Sequence, residues 1–159
     1  MKVQKHHWLI VLSFIGVFIL AVVFFRNAQI QSGFLGLPTV PCFDVTKPTT
    51  QSYTLHISIS VNGKDYPLAA TIGHDPGNCL RVVHTEDASG LVYVETNDHV
   101  TYTLQNLFQV WRKTFTAAQF DSYQADNGHI LSVYLNGKLQ RDMVDTPLLP
   151  NSIIEVVYQ

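Results

Sequence analysis

The sequence predicts an α+β protein: a mixed sheet covered by one amphipathic helix, preceded by one N-terminal transmembrane helix. Three observations carry this. Trp8 to Phe25, WLIVLSFIGVFILAVVFF, holds neither a charge nor a proline. Two later segments alternate apolar and polar residues and then run into Asn-Gly. Between those two, a single segment switches to a helical period.

The apolar run comes first. At 1.5 Å per residue a helix of this length reaches roughly 27 Å, close to the hydrocarbon thickness of a bilayer. Lys2 and Lys5 precede it and only Arg26 follows closely. That bias keeps the N-terminus in the cytoplasm and sends the rest across. A cleaved signal peptide is the competing reading, but FFRNAQIQSG offers no good small-x-small cleavage site. Residues 1–26 are therefore expected to be a retained signal-anchor, and residues 27–51 a linker broken by Pro38, Pro41 and Pro48. Residues 52–159 are the expected extracytoplasmic domain, at the cell surface or in the periplasm. All twelve acidic residues and seven of the ten Lys and Arg lie beyond Arg26, which gives the exported part a net charge of −5. It has no basic run, so nucleic-acid binding is set aside.

Within the domain, LHISISVNGKDYPLAATIG reads as a hairpin. Ile57, Ile59 and Val61 alternate with Ser58 and Ser60, and Asn62-Gly63 supplies a tight turn with positive φ. Val82-Val83 and Leu91 to Glu95 flank TEDASG as a second, shorter hairpin. In TYTLQNLFQVWRKTF, Leu104, Leu107, Phe108 and Trp111 fall on one helical face. Thr103 can cap that helix, and Arg112 and Lys113 suit its C-terminal end. Trp111 is expected to anchor the core, so that Trp111→Ala costs about 3–5 kcal/mol. HILSVYLNGK repeats the strand-then-Asn-Gly pattern, and Ile153 to Tyr158 forms the last strand.

This order resembles the β-grasp fold of ubiquitin and of the sulfur carriers of thiamine and molybdopterin synthesis. The closing VYLNGKLQRDMVDTPLLPNSIIEVVYQ is similar to their ending, and the resemblance covers about residues 52–159. Conjugating members end in an exposed Gly-Gly, whereas this chain ends in VVYQ, which argues against sulfur carriage or protein tagging. A closer resemblance is to an uncharacterised group of prokaryotic membrane-anchored proteins. Its pattern runs His-x-His, strand, NGK, HTHD-x-SG-x-IHIE, TLGQFF-x-VW and VNGK. Here the counterparts are LHISISVNGK, HTEDASGLVYVE, YTLQNLFQVW and YLNGK. His56, His84, Asp87 and Glu95 fall on that group's positions, while Thr54, Glu86 and Tyr93 stand where it tends to have histidines. The resemblance implies no known activity, but it makes these positions look like a site.

Chemistry offers two readings of HTEDASG. If the strands pair, His56, His84, Glu86 and Glu95 converge on the uncovered sheet face, where imidazoles and carboxylates suit zinc or copper. His74, Cys79 and Asp87 are the further candidate ligands. Alternatively Glu86-Asp87-Ala-Ser-Gly is a solvated hairpin tip. Cys42 and Cys79 are alone in an exported chain and are expected to pair as a disulfide, the alternative being Cys79 as a metal ligand. No catalytic residue is assigned, because Ser89 lacks a nucleophile-elbow glycine pattern and no Gly-rich phosphate loop is present. The expected role is a non-catalytic binding domain, held to the membrane through Trp8 to Phe25 and meeting another membrane protein through a sheet face or edge. Metal binding or delivery through His56, His84, Glu86 and Glu95 is the alternative, and a hydrolase on the same residues ranks last.

Overall fold

The structure, a computed structural model, describes residues 40–159. The expected anchor and the linker up to residue 39 lie outside the described residues. Among the described residues no helix is long and apolar enough to cross a membrane.

In chain order the elements are β1 (Gln51–Val61), β2 (Lys64–Asp65), β3 (His74–Asp75), β4 (Cys79–Leu80), β5 (Val83–His84) and β6 (Leu91–Thr96). Then follow α1 (Leu104–Trp111), β7 (Phe115–Thr116), β8 (Gln119–Phe120), β9 (Tyr123–Gln124), β10 (Leu131–Leu135), β11 (Lys138–Leu139) and β12 (Ile153–Tyr158). The main sheet is mixed, as expected. Its order is β11-β10-β12-β1-β6-β5, with β2 also on β1. The long β1 is its centre. It runs parallel to β12 from His56 to Val61 and antiparallel to β6 from Gln51 to His56. A parallel partner cannot be reached by a tight turn, so nearly the whole domain lies between these two strands.

The period-two pattern sets the register. Leu55, Ile57, Ile59, Val92, Val94, Val133, Ile154 and Val156 are buried on one face. The helix contributes Leu104, Leu107 and Phe108 to the same core. Ser52, His56 and Ser58 of β1 and Glu155 of β12 point the other way and are exposed. A slip of one residue would exchange these two sets, which is why the register is well determined. Both Asn-Gly turns form as expected: Asn62 and Asn136 have φ of 51° and 50°, and the glycines that follow have φ of 74°.

Several expectations change. The second arm of the first hairpin is only Lys64–Asp65, because Tyr66 turns toward Trp111, Phe120 and Tyr123 and Pro67 has no N–H for a ladder. Val40–Gln159 form one compact unit. Val40 is buried, Cys42 bridges to Arg81 in the backbone, and the Phe43 N–H donates to the Leu80 carbonyl. Cys42 and Cys79 form the expected disulfide. At the helix start, the Asn106 side chain accepts from the Thr103 N–H and hydroxyl. At its end, Arg112 takes a left-handed conformation (φ 60°) and stops the helix, so neither Arg112 nor Lys113 lies in its last turn. Trp111 is half-buried rather than a core residue: its ring stacks on Phe108, meets Tyr66 edge-on and has the Lys113 ammonium 5.8 Å from its centroid.

Candidate functional site

HTEDASG joins β5 to β6, and its polar residues and Gly90 have structural partners. The tip is an Asx turn in which Asp87 Oδ1 accepts the Ser89 N–H at 2.9 Å. The Ser89 hydroxyl, and then its N–H, hold the Asp87 carboxyl below its ordinary range. Gly90 has φ of +89°, and a Cβ there would lie 2.5 Å from the Ile57 carbonyl oxygen. Only glycine allows the tip to lean this closely on β1.

Thr85 is fully buried and works as a staple. Its hydroxyl donates to the Ala69 carbonyl at 2.7 Å and accepts the Ile72 N–H at 3.1 Å, while its own N–H donates to the Ile72 carbonyl at 3.0 Å. The Gly73 carbonyl in turn accepts the Arg81 N–H. The loop from residue 69 to 74 is therefore sewn along the outer edge of β5, where an unpaired edge would otherwise be exposed. Gly73 fits this contact closely: a Cβ would lie 2.7 Å from the Val83 carbonyl oxygen.

His84 is beneath this loop, with its side chain 3% exposed. A carbonyl only accepts, so the Nδ1–H donates to the Arg81 carbonyl at 3.0 Å, and in the neutral ring Nε2 keeps its lone pair. The ring stacks on Tyr93, its cross-strand partner, at 5.4 Å. Burial pushes the His84 pKa below its ordinary value, against the opposing pull of the Arg81 carbonyl and the charges of Glu95 and Glu86. His74 meets the His84 ring edge-on at 6.0 Å and donates Nε2–H to the Thr85 carbonyl at 3.1 Å. Glu86 Oε1 is 3.5 Å from both His74 Nε2 and His84 Nε2.

The structure thus brings His74, His84 and Glu86 together and leaves His56 elsewhere. His56 is on the open sheet face with its Nε2 on the Ser89 carbonyl at 3.1 Å. Glu95 accepts from Ser52, its partner across β1, at 3.3 Å. Cys79 is in the disulfide, so no thiolate is free there to bind a metal. Among the described residues, no group of three or more His, Cys, Asp and Glu side chains is placed to hold a metal ion.

What the sewn loop does build is a cleft of about 250 Å³ against the end of α1. Its lining includes Ile72, His74, Asp75, Val110, Trp111 and Arg112. Asp75 is the fixed point. Its Oδ2 accepts from Arg81 Nε at 2.8 Å and Nη2 at 2.6 Å, and its Oδ1 accepts from Arg112 Nη2 at 3.2 Å. Those guanidiniums, Arg81 first, hold the Asp75 carboxyl below its ordinary range. Arg81 also donates from Nη1 to the Val40 carbonyl, which links the cleft to the disulfide-bound segment.

Sequence reasoning did not place Asp75, Trp111 and Arg112 at one cleft, nor Arg81 beside Asp75. One signal was present: HDPGNCLR sets an acid and a base on either side of Pro-Gly-Asn, the composition of a hairpin turn with a cross-strand ion pair. That hairpin is β3–β4, where Gly77 and Asn78 take positive φ. Compared with protein-family models, curated proteins and solved structures, the chain matches none of them.

Proposed function

We propose that this chain is a membrane-tethered, extracytoplasmic domain that binds a partner and catalyses no reaction, and that the cleft beside α1 is its binding surface. One observation carries the reading. The cleft is preformed: its wall is a loop fixed by the buried Thr85 hydroxyl and by the paired Asp75, not an open stretch of chain. Concave sites that combine apolar walls with a few fixed polar groups are where proteins hold ligands. Trp111 and Arg112, the residue types that concentrate binding energy at interfaces, stand side by side at its rim.

The cellular setting comes from the uncharged run Trp8 to Phe25 and from the disulfide, since such a bond persists in an oxidising compartment. The β-grasp reading is supported by the parallel pairing of β1 with the last strand and by one helix on one sheet face. The partner in this reading is another protein at the same membrane surface.

Photo-crosslinking in intact membranes tests it. A benzoylphenylalanine in place of Trp111 probes the cleft, and the same group in place of Ser58 probes the open sheet face. A discrete crosslinked species from position 111 and none from position 58 is the expected result. The reverse pattern would move the interaction to the sheet face and end the cleft assignment.

A further inference from the structure

The ionised groups in the cleft wall are unequally satisfied. Asp75 and Arg112 both line it. Asp75 is already neutralised by Arg81, which binds one carboxylate oxygen through two N–H groups. Among the described residues Arg112 has only the longer 3.2 Å contact to the other oxygen, and its side chain is 76% exposed. A guanidinium carries five donors in a planar fork suited to a carboxylate, and most of this fork is free. Lys113, the next cation along, is not a competitor: it donates to Asp121 at 2.7 Å and to the Tyr66 hydroxyl at 3.1 Å. Glu86 reaches His74 but is not among the lining residues. Asp75, Arg81 and Arg112 together thus carry one net positive charge at the cleft. Ile72, Val110 and the indole of Trp111 form the apolar part of the lining, and Thr71, His74 and Asp75 the polar part.

We infer that the cleft recognises the C-terminal end of a peptide chain, with the free carboxylate on Arg112 and an apolar last side chain against Trp111 and Val110. This rests on the binding reading above and names its ligand chemistry. A single net charge beside the apolar side chains of Val110 and Trp111 fits a monoanion with an apolar body better than a small, fully hydrated dianion such as phosphate. The position of Arg112 is also fixed from its backbone. It terminates α1 with φ of 60°, and its N–H donates to the Gln109 carbonyl at 3.1 Å, so the guanidinium projects from a rigid point.

The chain has two tryptophans, Trp8 and Trp111, so Trp8→Phe leaves Trp111 as the single indole reporter in the full chain. The probes are N-acetyl-phenylalanine and its uncharged counterpart, N-acetyl-phenylalaninamide, titrated against Trp111 emission in detergent micelles. The acid is expected to bind saturably and the amide at least about tenfold more weakly, the scale of one charge-assisted hydrogen bond. Arg112→Gln leaves the Arg81–Asp75 pair in place and should bring the acid down to the level of the amide. Arg112→Lys keeps the charge without the fork and should fall between. If Arg112→Gln shifts the melting temperature, the acid-to-amide ratio in the otherwise unchanged chain decides alone. Equal binding of acid and amide overturns the carboxylate assignment and leaves the cleft as a binding site. No response to either probe also overturns it, and the crosslinking result then judges the binding reading separately.

Discussion

The buried His84 gives the domain a built-in sensitivity to acid. Its folded-state pKa lies below the ordinary value near 6.5, because burial penalises the imidazolium more than the Arg81 carbonyl and the nearby carboxylates favour it. The sign follows from linkage. Above the unfolded pKa the ring is neutral in both states and this stabilising contribution is fully present. As pH falls toward the folded pKa, the unfolded chain takes up the proton more readily and the contribution is lost. The melting temperature is therefore expected to drop between pH 7.5 and pH 5, and the drop should be smaller in His84→Leu. A profile identical in the two proteins would place the acid sensitivity elsewhere. At this scale the sequence pointed to the right residue for a different reason. His84 was legible as chemically special, yet its environment depends on the loop from 69 to 74, which no local pattern of HTEDASG contains.

Among the elements, the ones with a strong period were legible. β1 shows strict alternation over Leu55 to Val61, α1 shows Leu104, Leu107 and Phe108 on one face, and both Asn-Gly turns form where expected. The elements that were not legible are short. β3, β4, β7, β8 and β9 have two residues each, too few for any periodicity to register; the Gly77–Asn78 turn joins β3 to β4, and aromatic side chains pack around β7, β8 and β9. Phe120 is the centre of that packing, with ring contacts to Tyr66, Phe108 and Tyr123. The segment from Val40 to Thr50 packs on the domain. Its prolines break regular structure without preventing packing, and the disulfide to β4 fixes it in place. That bond closes a sequence separation of 37 residues, which limits the unfolded chain by about 3–4 kcal/mol in the chain-entropy view. The double variant Cys42→Ser, Cys79→Ser is expected to lose roughly 2–4 kcal/mol in denaturant unfolding. Unchanged stability would show that the 40–50 segment is held by its hydrogen bonds alone.

For the whole molecule, the motif that looked like a ligand cluster builds an edge. Thr85, Gly90 and His84 direct their polar atoms or their close contacts inward, onto Ala69, Ile72, Ile57 and Arg81. The edge they make is one wall of the cleft, and the end of α1 is the other. Convergence of distant segments of this kind is a property of the fold, not of any one stretch. Asp75 and Arg112, 37 positions apart, therefore could not be paired by reading along the chain. The HTED motif holds this wall through Thr85. Residue-resolved hydrogen exchange on Thr85→Val tests it most directly. The substitution keeps the shape but removes a donor and an acceptor, leaving the buried Ile72 N–H unpaired at a cost of about 1–3 kcal/mol. The Ile72 amide and its neighbours in the loop are expected to exchange faster, while the amides of β1 and β12 keep their protection relative to global stability. If Ile72 keeps its protection in the variant, the loop is held by something other than Thr85, and the role assigned to the motif is wrong.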